Sequence, residues 1–246
     1  MQKKHIIIDS RMRDFEKKYL RNEYEIIELE RSEKVYSEIC AHVDIFCVKI
    51  NEKLIVEKSR YNEIKKVCSN VICGNEFVGE KYPDDVKYNV CQIGNNAVHN
   101  FKFTDRKILE VIGKEKINKI HISQGYSNCS IAVIDENSAI VTDKKIAENL
   151  ERANINVLRL DYVPDIKLLD ANGKFSQMHG FIGGAISRIG DKIIVFGDLK
   201  KIDKNGEIFK FIKKSNLEIV DFKRKRSHGL WRVYRILKIV IVFFFQ

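Results

Sequence analysis

A nine-residue pattern that returns four times constrains this chain more than any other feature. It reads His42-Val-Asp-Ile-Phe-Cys-Val-Lys-Ile50, Asp85-Val-Lys-Tyr-Asn-Val-Cys-Gln-Ile93, Tyr126-Ser-Asn-Cys-Ser-Ile-Ala-Val-Ile134 and Phe181-Ile-Gly-Gly-Ala-Ile-Ser-Arg-Ile189. Each copy runs into a polar turn: Asn51-Glu52-Lys53, Gly94-Asn95-Asn96, Asp135-Glu136-Asn137 and Gly190-Asp191-Lys192. A second apolar run follows each turn, as in a hairpin. Helix-period segments come next at Thr104–Ile112, Lys144–Ala153 and Gly206–Ser215, with a shorter one around Tyr61–Cys68. Third strands are expected at Ile117–Ile122, Ile155–Leu160 and Leu217–Phe222. Thr104, Asp105 and Asp143 suit helix caps.

The N-terminus reads as half a unit, with strands at His5–Ser10 and Tyr24–Glu30 flanking a helix over Arg11–Arg21. Its missing first strand can come from the C-terminus, as in ring-shaped repeat folds. The expected fold class is α/β, a five-unit ββαβ propeller with its last unit incomplete. Residues 1–222 form one domain in this reading.

Composition narrows the classes. At 44% hydrophobic and 32% charged residues, the chain suits a globular protein with a sizeable core. The N-terminal apolar run is too short for a signal peptide or a membrane span. Six cysteines occur without CxxC or zinc-ligand spacing, which points to free thiols in a reducing cytoplasm. No metal and no cofactor are expected. The net charge is +10, but residues 223–246 hold seven basic residues and no acid, so the body is only +3. That near balance argues against a nucleic-acid partner.

The tail breaks the repeat. Lys223-Arg-Lys-Arg226 leads through Trp231-Arg-Val-Tyr234 to Ile239-Val-Ile-Val-Phe-Phe-Phe-Gln246. Taken as a genuine tail, it is a polybasic membrane-surface anchor or an exposed aggregation-prone strand. Alternatively it is out of frame. One back-translation of Arg226–Arg235, less one base, reads Glu-Val-Thr-Asp-Tyr-Gly-Gly-Phe-Ile, the kind of Gly-Gly strand that the fifth unit lacks.

Gln124-Gly-Tyr-Ser-Asn-Cys129 with Ile140-Val-Thr-Asp143, and Gly180-Phe-Ile-Gly-Gly-Ala185 with Phe196-Gly-Asp-Leu199, resemble an uncharacterised bacterial family of the guanidine-modifying-enzyme, or pentein, fold. That resemblance implies five ββαβ units around a pseudo-fivefold axis. Members of the superfamily include arginine and agmatine deiminases, dimethylarginine hydrolases and amidinotransferases. A translation initiation factor shares the fold without known enzymatic activity, so fold alone leaves function open.

The resemblance also implies a thiolate that attacks a guanidinium carbon, a histidine that moves protons, and carboxylates that hold the planar cation. Cys129, His42 and Asp44 are the catalytic candidates. In an extended strand, His42 and Asp44 would share one face. The repeat alignment then sets Cys129 level with Ile45, on the opposite face. Asp44, Lys87, Asn128 and Gly183 are equivalent positions expected to converge at the axis, with Asp85 and Glu57 as further candidates. Asn128, Gly183, Gly184, Lys87, Asp143 and Asp198 are the candidate ligand-binding residues. The glycines either open backbone N–H groups to a ligand or relieve crowding, and the aspartates either cap helices or touch ligand. The expected function is binding of a small polar or guanidinium-like ligand near the axis. Its alternatives are a cysteine-dependent deiminase or hydrolase and a non-catalytic interaction protein.

Overall fold

A computed structural model describes residues 4–68, 70–222 and 241–243. Its strands and helices are numbered in chain order. Five three-stranded sheets carry the fold. The first comprises β1 (Lys4–Asp9), β2 (Tyr24–Leu29) and β17 (Ile241–Phe243). The second comprises β3 (Cys47–Ile50), β4 (Lys53–Val56) and β5 (Val71–Cys73). The third comprises β6 (Cys91–Ile93), β7 (Asn96–His99) and β8 (Asn118–His121). The fourth comprises β9 (Ile131–Asp135), β10 (Ser138–Val141) and β11 (Asn156–Arg159). The fifth comprises β14 (Ile186–Ile189), β15 (Lys192–Val195) and β16 (Glu218–Asp221).

In every sheet the middle strand pairs antiparallel with one neighbour and parallel with the other. The parallel step needs a crossover, which the helices supply. These are α1 (Asp14–Arg21), α3 (Lys58–Lys65), α4 (Arg106–Lys114), α6 (Lys144–Arg152) and α9 (Glu207–Lys214). A short α8 (Leu199–Ile202) precedes the last of these. The hairpin turns enter the left-handed region at Asn51, Gly94 and Gly190, where φ is 50°, 52° and 63°. Asparagine and glycine tolerate that conformation best, which accounts for the turn composition.

The first unit borrows its outer strand from the far end of the chain. β17 pairs antiparallel with β1, His5 opposite Phe243 and Ile7 opposite Ile241. Residues 223–240, which contain the polybasic and Trp231–Tyr234 segments, lie outside the described residues, as do 244–246.

One expectation is corrected. The nine-residue repeats are not continuous strands. Three begin with a single helical turn: α2 (Val43–Phe46), α5 (Ser127–Ser130) and α7 (Ile182–Ala185). The middle strands are four residues long and offer ladder partners to only the last few residues of each repeat. The preceding residues, largely buried, must bond their backbone internally, and a helical turn does so. A short buried apolar run has no period that separates the two states.

Apolar clusters fill the seams between successive units. Ile134 and Ile140 of the fourth unit pack with Ile186 and Ile193 of the fifth. Ile6, Ile8 and Leu20 of the first pack with Ile189, Ile194 and Phe196 of the fifth, closing the ring. A hairpin absent from the repeat pattern, β12 (Lys167–Leu169) with β13 (Phe175–His179), is inserted before α7. Arg11 ties it to the ring. Its guanidinium forms a pair with Asp9, Nη2 to Oδ2 at 2.6 Å and Nε to Oδ1 at 2.9 Å. Its remaining donors reach the carbonyls of Leu169, Asp170, Ser37 and Glu38. All six cysteines are free thiols. No helix among the described residues is long and apolar enough to cross a membrane.

Candidate functional site

The helical turns change the geometry expected of the candidate residues. On a helical turn, positions two apart point in different directions, so the strand face that was to join His42 with Asp44 does not exist. The same change removes the separation of Asp44 from Cys129. Cys129 Sγ lies 3.0 Å from Asp44 Oδ2 as a thiol donor to the carboxylate. The three residues Asp44, Asn89 and Cys129, from three successive units, form one cluster. Asn89 Nδ2 donates to Asp44 Oδ2 at 2.5 Å and approaches Cys129 Sγ at 3.3 Å. Asn89 Oδ1 accepts from the Cys129 backbone N–H at 3.2 Å. Asn89 and Asp44 are at most 1% exposed and Cys129 is 7% exposed. His42, 3% exposed, stands just before α2.

Asn89 escaped the repeat alignment, which placed Lys87 at the axis. The third unit has no helical turn where the second, fourth and fifth do. Tyr88, the equivalent of Cys129, is buried and donates its hydroxyl to Glu76 O at 2.7 Å, with Asp105 Oδ2 at 3.1 Å. Asp105 also accepts from the N–H groups of Asn75, Glu76 and Lys107. Anchored this way, the segment turns Lys87 away from the axis, to Asp84 at 3.0 Å and Glu76 at 3.3 Å. The amide two residues later takes the axial place.

The other candidates are dispersed. Asp143 caps α6 through the Ile146 N–H, and Asp198 caps α8 through the Lys200 N–H. Glu57 caps α3, accepting from Ser59 N–H at 2.8 Å. Gly184 N–H bonds to Phe181 O. At Gly183 the two backbones nearly touch. A Cβ there would lie 2.6 Å from Asn128 O, 2.7 Å from Cys129 O, and nearer still to Ile131 O. Crowding therefore suffices to explain this glycine.

Two aromatic residues, Tyr126 and Phe181, stand just before α5 and α7. Tyr126 donates its hydroxyl to Asp85, and its ring stacks on Phe181 at 6.2 Å between centroids. Tyr36 Oη is 3.2 Å from Tyr126 Oη. Burial pushes the Asp85 carboxyl up, against the pull of the Tyr126 hydrogen bond. Burial also pushes Tyr36 up to about 12. Both tyrosines thus stay protonated donors. Among the described residues no His, Cys, Asp and Glu side chains are grouped to hold a metal ion.

Residues 7–228 match the DUF6873 family. The chain belongs to this family of unknown function. A search of curated proteins gives no match. Among solved structures, DDAH from Pseudomonas aeruginosa, a Cys-to-Ser mutant complexed with citrulline, superposes with a TM-score of 0.54 at 11% identity, covering 91% of this chain and 93% of that one. A dimethylarginine dimethylaminohydrolase adduct with S-methyl-L-thiocitrulline gives 0.53 at 12% identity, covering 90% and 93%. An agmatine deiminase from C. jejuni gives 0.52 at 10% identity, covering 90% and 88%. The DUF6873 chain therefore has the pentein fold of these enzymes. At such identity the likeness concerns the fold.

Proposed function

We propose that this DUF6873 protein binds a small polar cation of the guanidino class at the helical-turn end of its axis. The cluster of Asp44, Asn89 and Cys129 carries the reading. A carboxylate, an amide and a thiol from three units meet there, all buried. Burying polar groups costs stability unless they pair, and binding sites combine apolar walls with a few convergent polar groups. The stacked rings of Tyr126 and Phe181 at the same end add flat surfaces suited to a planar cation. Two of the fold relatives, a dimethylarginine dimethylaminohydrolase and an agmatine deiminase, are named for guanidino compounds.

The 3.0 Å approach of Cys129 to Asp44 favours a second, catalytic reading. A guanidinium seated on Asp44 sets its central carbon beside the sulfur. His42 would take the thiol proton and pass it to the departing amine as the sulfur–carbon bond forms and the carbon–nitrogen bond breaks, leaving a covalent intermediate. Water would then release the ureido product and restore the thiol.

Thermal unfolding with millimolar agmatine, arginine and methylarginine tests the first reading. At least one should raise the midpoint in the native chain and fail to do so in Asp44→Asn. No shift with any guanidino compound would overturn it. Release of ammonia or amine, abolished in Cys129→Ser while the thermal shift persists, would establish the second.

A further inference from the structure

Tyr36, Tyr126 and Asp85 form a chain whose protons can be placed by counting. Each phenol carries one O–H, and an ionised carboxylate carries none. Tyr126 Oη makes two contacts, to Asp85 Oδ2 and, at 3.2 Å, to Tyr36 Oη. The contact to Asp85 is the shorter, and a carboxylate is the stronger acceptor. Tyr126 therefore spends its proton on Asp85, and that hydrogen bond favours the charged form of the carboxyl. Asp85 is 1% exposed, and its Oδ1 accepts no hydrogen bond from another described residue. The Tyr126 hydroxyl is thus the one side-chain donor that Asp85 meets among the described residues.

Tyr36 must then donate to Tyr126, which has no second proton to give. Both hydroxyl dipoles point toward Asp85, and Tyr36 Oη is left with lone pairs and no proton to offer. Its bond to Tyr126 is the only one its hydroxyl makes among the described residues. Tyr36 is half-buried and near enough to Cys129 to be coupled to it electrostatically. Tyr126 stands three residues before Cys129, just ahead of α5.

We propose that Tyr36 sets the polarity of the ligand group taken at this end of the axis: it accepts an N–H from a bound guanidinium and repels a carbonyl oxygen in the same place. The inference rests on the guanidino reading above and adds which form of the ligand the site prefers. A guanidinium and its ureido counterpart have nearly the same planar shape and differ where an NH2 group gives way to oxygen. Shape separates such a pair poorly, whereas an acceptor fixed in direction separates it well. Asp85 acts through the two phenols as a positioning residue. In the catalytic reading the same polarity disfavours the ureido product and promotes its release.

The test is calorimetric titration of the full chain with arginine against citrulline and with methylguanidine against methylurea. It is run at mildly alkaline pH, where Asp85 is a carboxylate and both phenols keep their protons. In the native chain the guanidino member of at least one pair should bind about tenfold tighter or more. Tyr36→Phe keeps the ring and should weaken the guanidino member about tenfold while leaving the ureido member unchanged or tighter. Asp85→Asn puts an amide that also donates in place of a group that only accepts, so the chain can run either way and the preference should narrow by a similar factor. Tyr126→Phe cuts Tyr36 off from Asp85 and should narrow it likewise, which keeps the proposal testable if Asp85→Asn fails to fold. Tyr82→Phe alters a hydroxyl outside the chain and should change neither affinity. Equal weakening of both members by Tyr36→Phe, or no change in either, would overturn the proposal, and the guanidino reading would stand if Asp44→Asn still abolished binding. Failure of the native chain to bind any guanidino compound would overturn both.

Discussion

Arg11→Met should be among the most damaging single substitutions in the ring. Arg11 and Asp9 are 5% and 0% exposed at the side chain. The pair is closed: Nε and Nη2 hold both Asp9 oxygens, and Nη1 and Nη2 reach four backbone carbonyls. Burial alone would pull the guanidinium pKa down, yet it is raised, because Asp9, together with Cys40 and Asp170, outweighs burial. Removing one partner of a buried pair leaves the other charge uncompensated and costs about 3–5 kcal/mol. For a chain of this size that lowers the thermal midpoint by roughly 6–20 °C. Urea denaturation with a linear extrapolation reads the loss directly. The double variant Asp9→Leu/Arg11→Met should recover only part of it, because it removes the uncompensated carboxylate but leaves the four carbonyls without Arg11. A loss below about 1 kcal/mol at an unchanged m-value would refute the claim that this pair secures the hairpin and the segment before His42 to the first unit.

Two further outcomes follow from single groups. His99 Nε2 faces Gly125 O at 2.9 Å and Nδ1 faces the Thr104 hydroxyl at 2.6 Å, and burial lowers its pKa from 6.5 to about 4. The unfolded chain then takes up a proton that the folded chain refuses. Stability should therefore fall by about 3 kcal/mol as pH drops from about 6.5 to about 4, with no further loss from this group below that. Unfolding at a series of pH values should show this component in the native chain and not in His99→Gln. Gly183→Ala should destabilise by about 1–3 kcal/mol through overpacking against the carbonyls of Asn128, Cys129 and Ile131. Wild-type stability in that variant would mean that the two backbones have room to part.

Much of the ring was legible because its punctuation is local. Left-handed turn positions select asparagine or glycine, as at Asn51, Gly94 and Gly190. Helix starts select a carboxylate that accepts backbone N–H groups, as at Asp105 and Asp143. The helical turns at Val43–Phe46, Ser127–Ser130 and Ile182–Ala185 were illegible for the converse reason. A run of four residues is too short for a period to separate strand from helix. Hairpin β12–β13 has no counterpart in the other units, so a repeat alignment passes over it. Asn89 was hidden because a side-chain anchor on Tyr88, distant in sequence from its partner Asp105, decides which residue of the third unit faces the axis.

That anchor bears on what the axial cluster is able to hold. With Lys87 in the equivalent place, an ammonium of the chain itself would neutralise Asp44, just as it now pairs with Asp84. The Tyr88 anchor instead sends the ammonium outward and brings in an amide, which satisfies hydrogen bonds without adding charge. Asp44 thus meets two neutral donors, Asn89 and Cys129, and both are donors that a guanidinium could replace with stronger, charge-assisted hydrogen bonds. A repeat brings equivalent positions toward one axis. Recognition at that axis depends on the unit where the equivalence breaks.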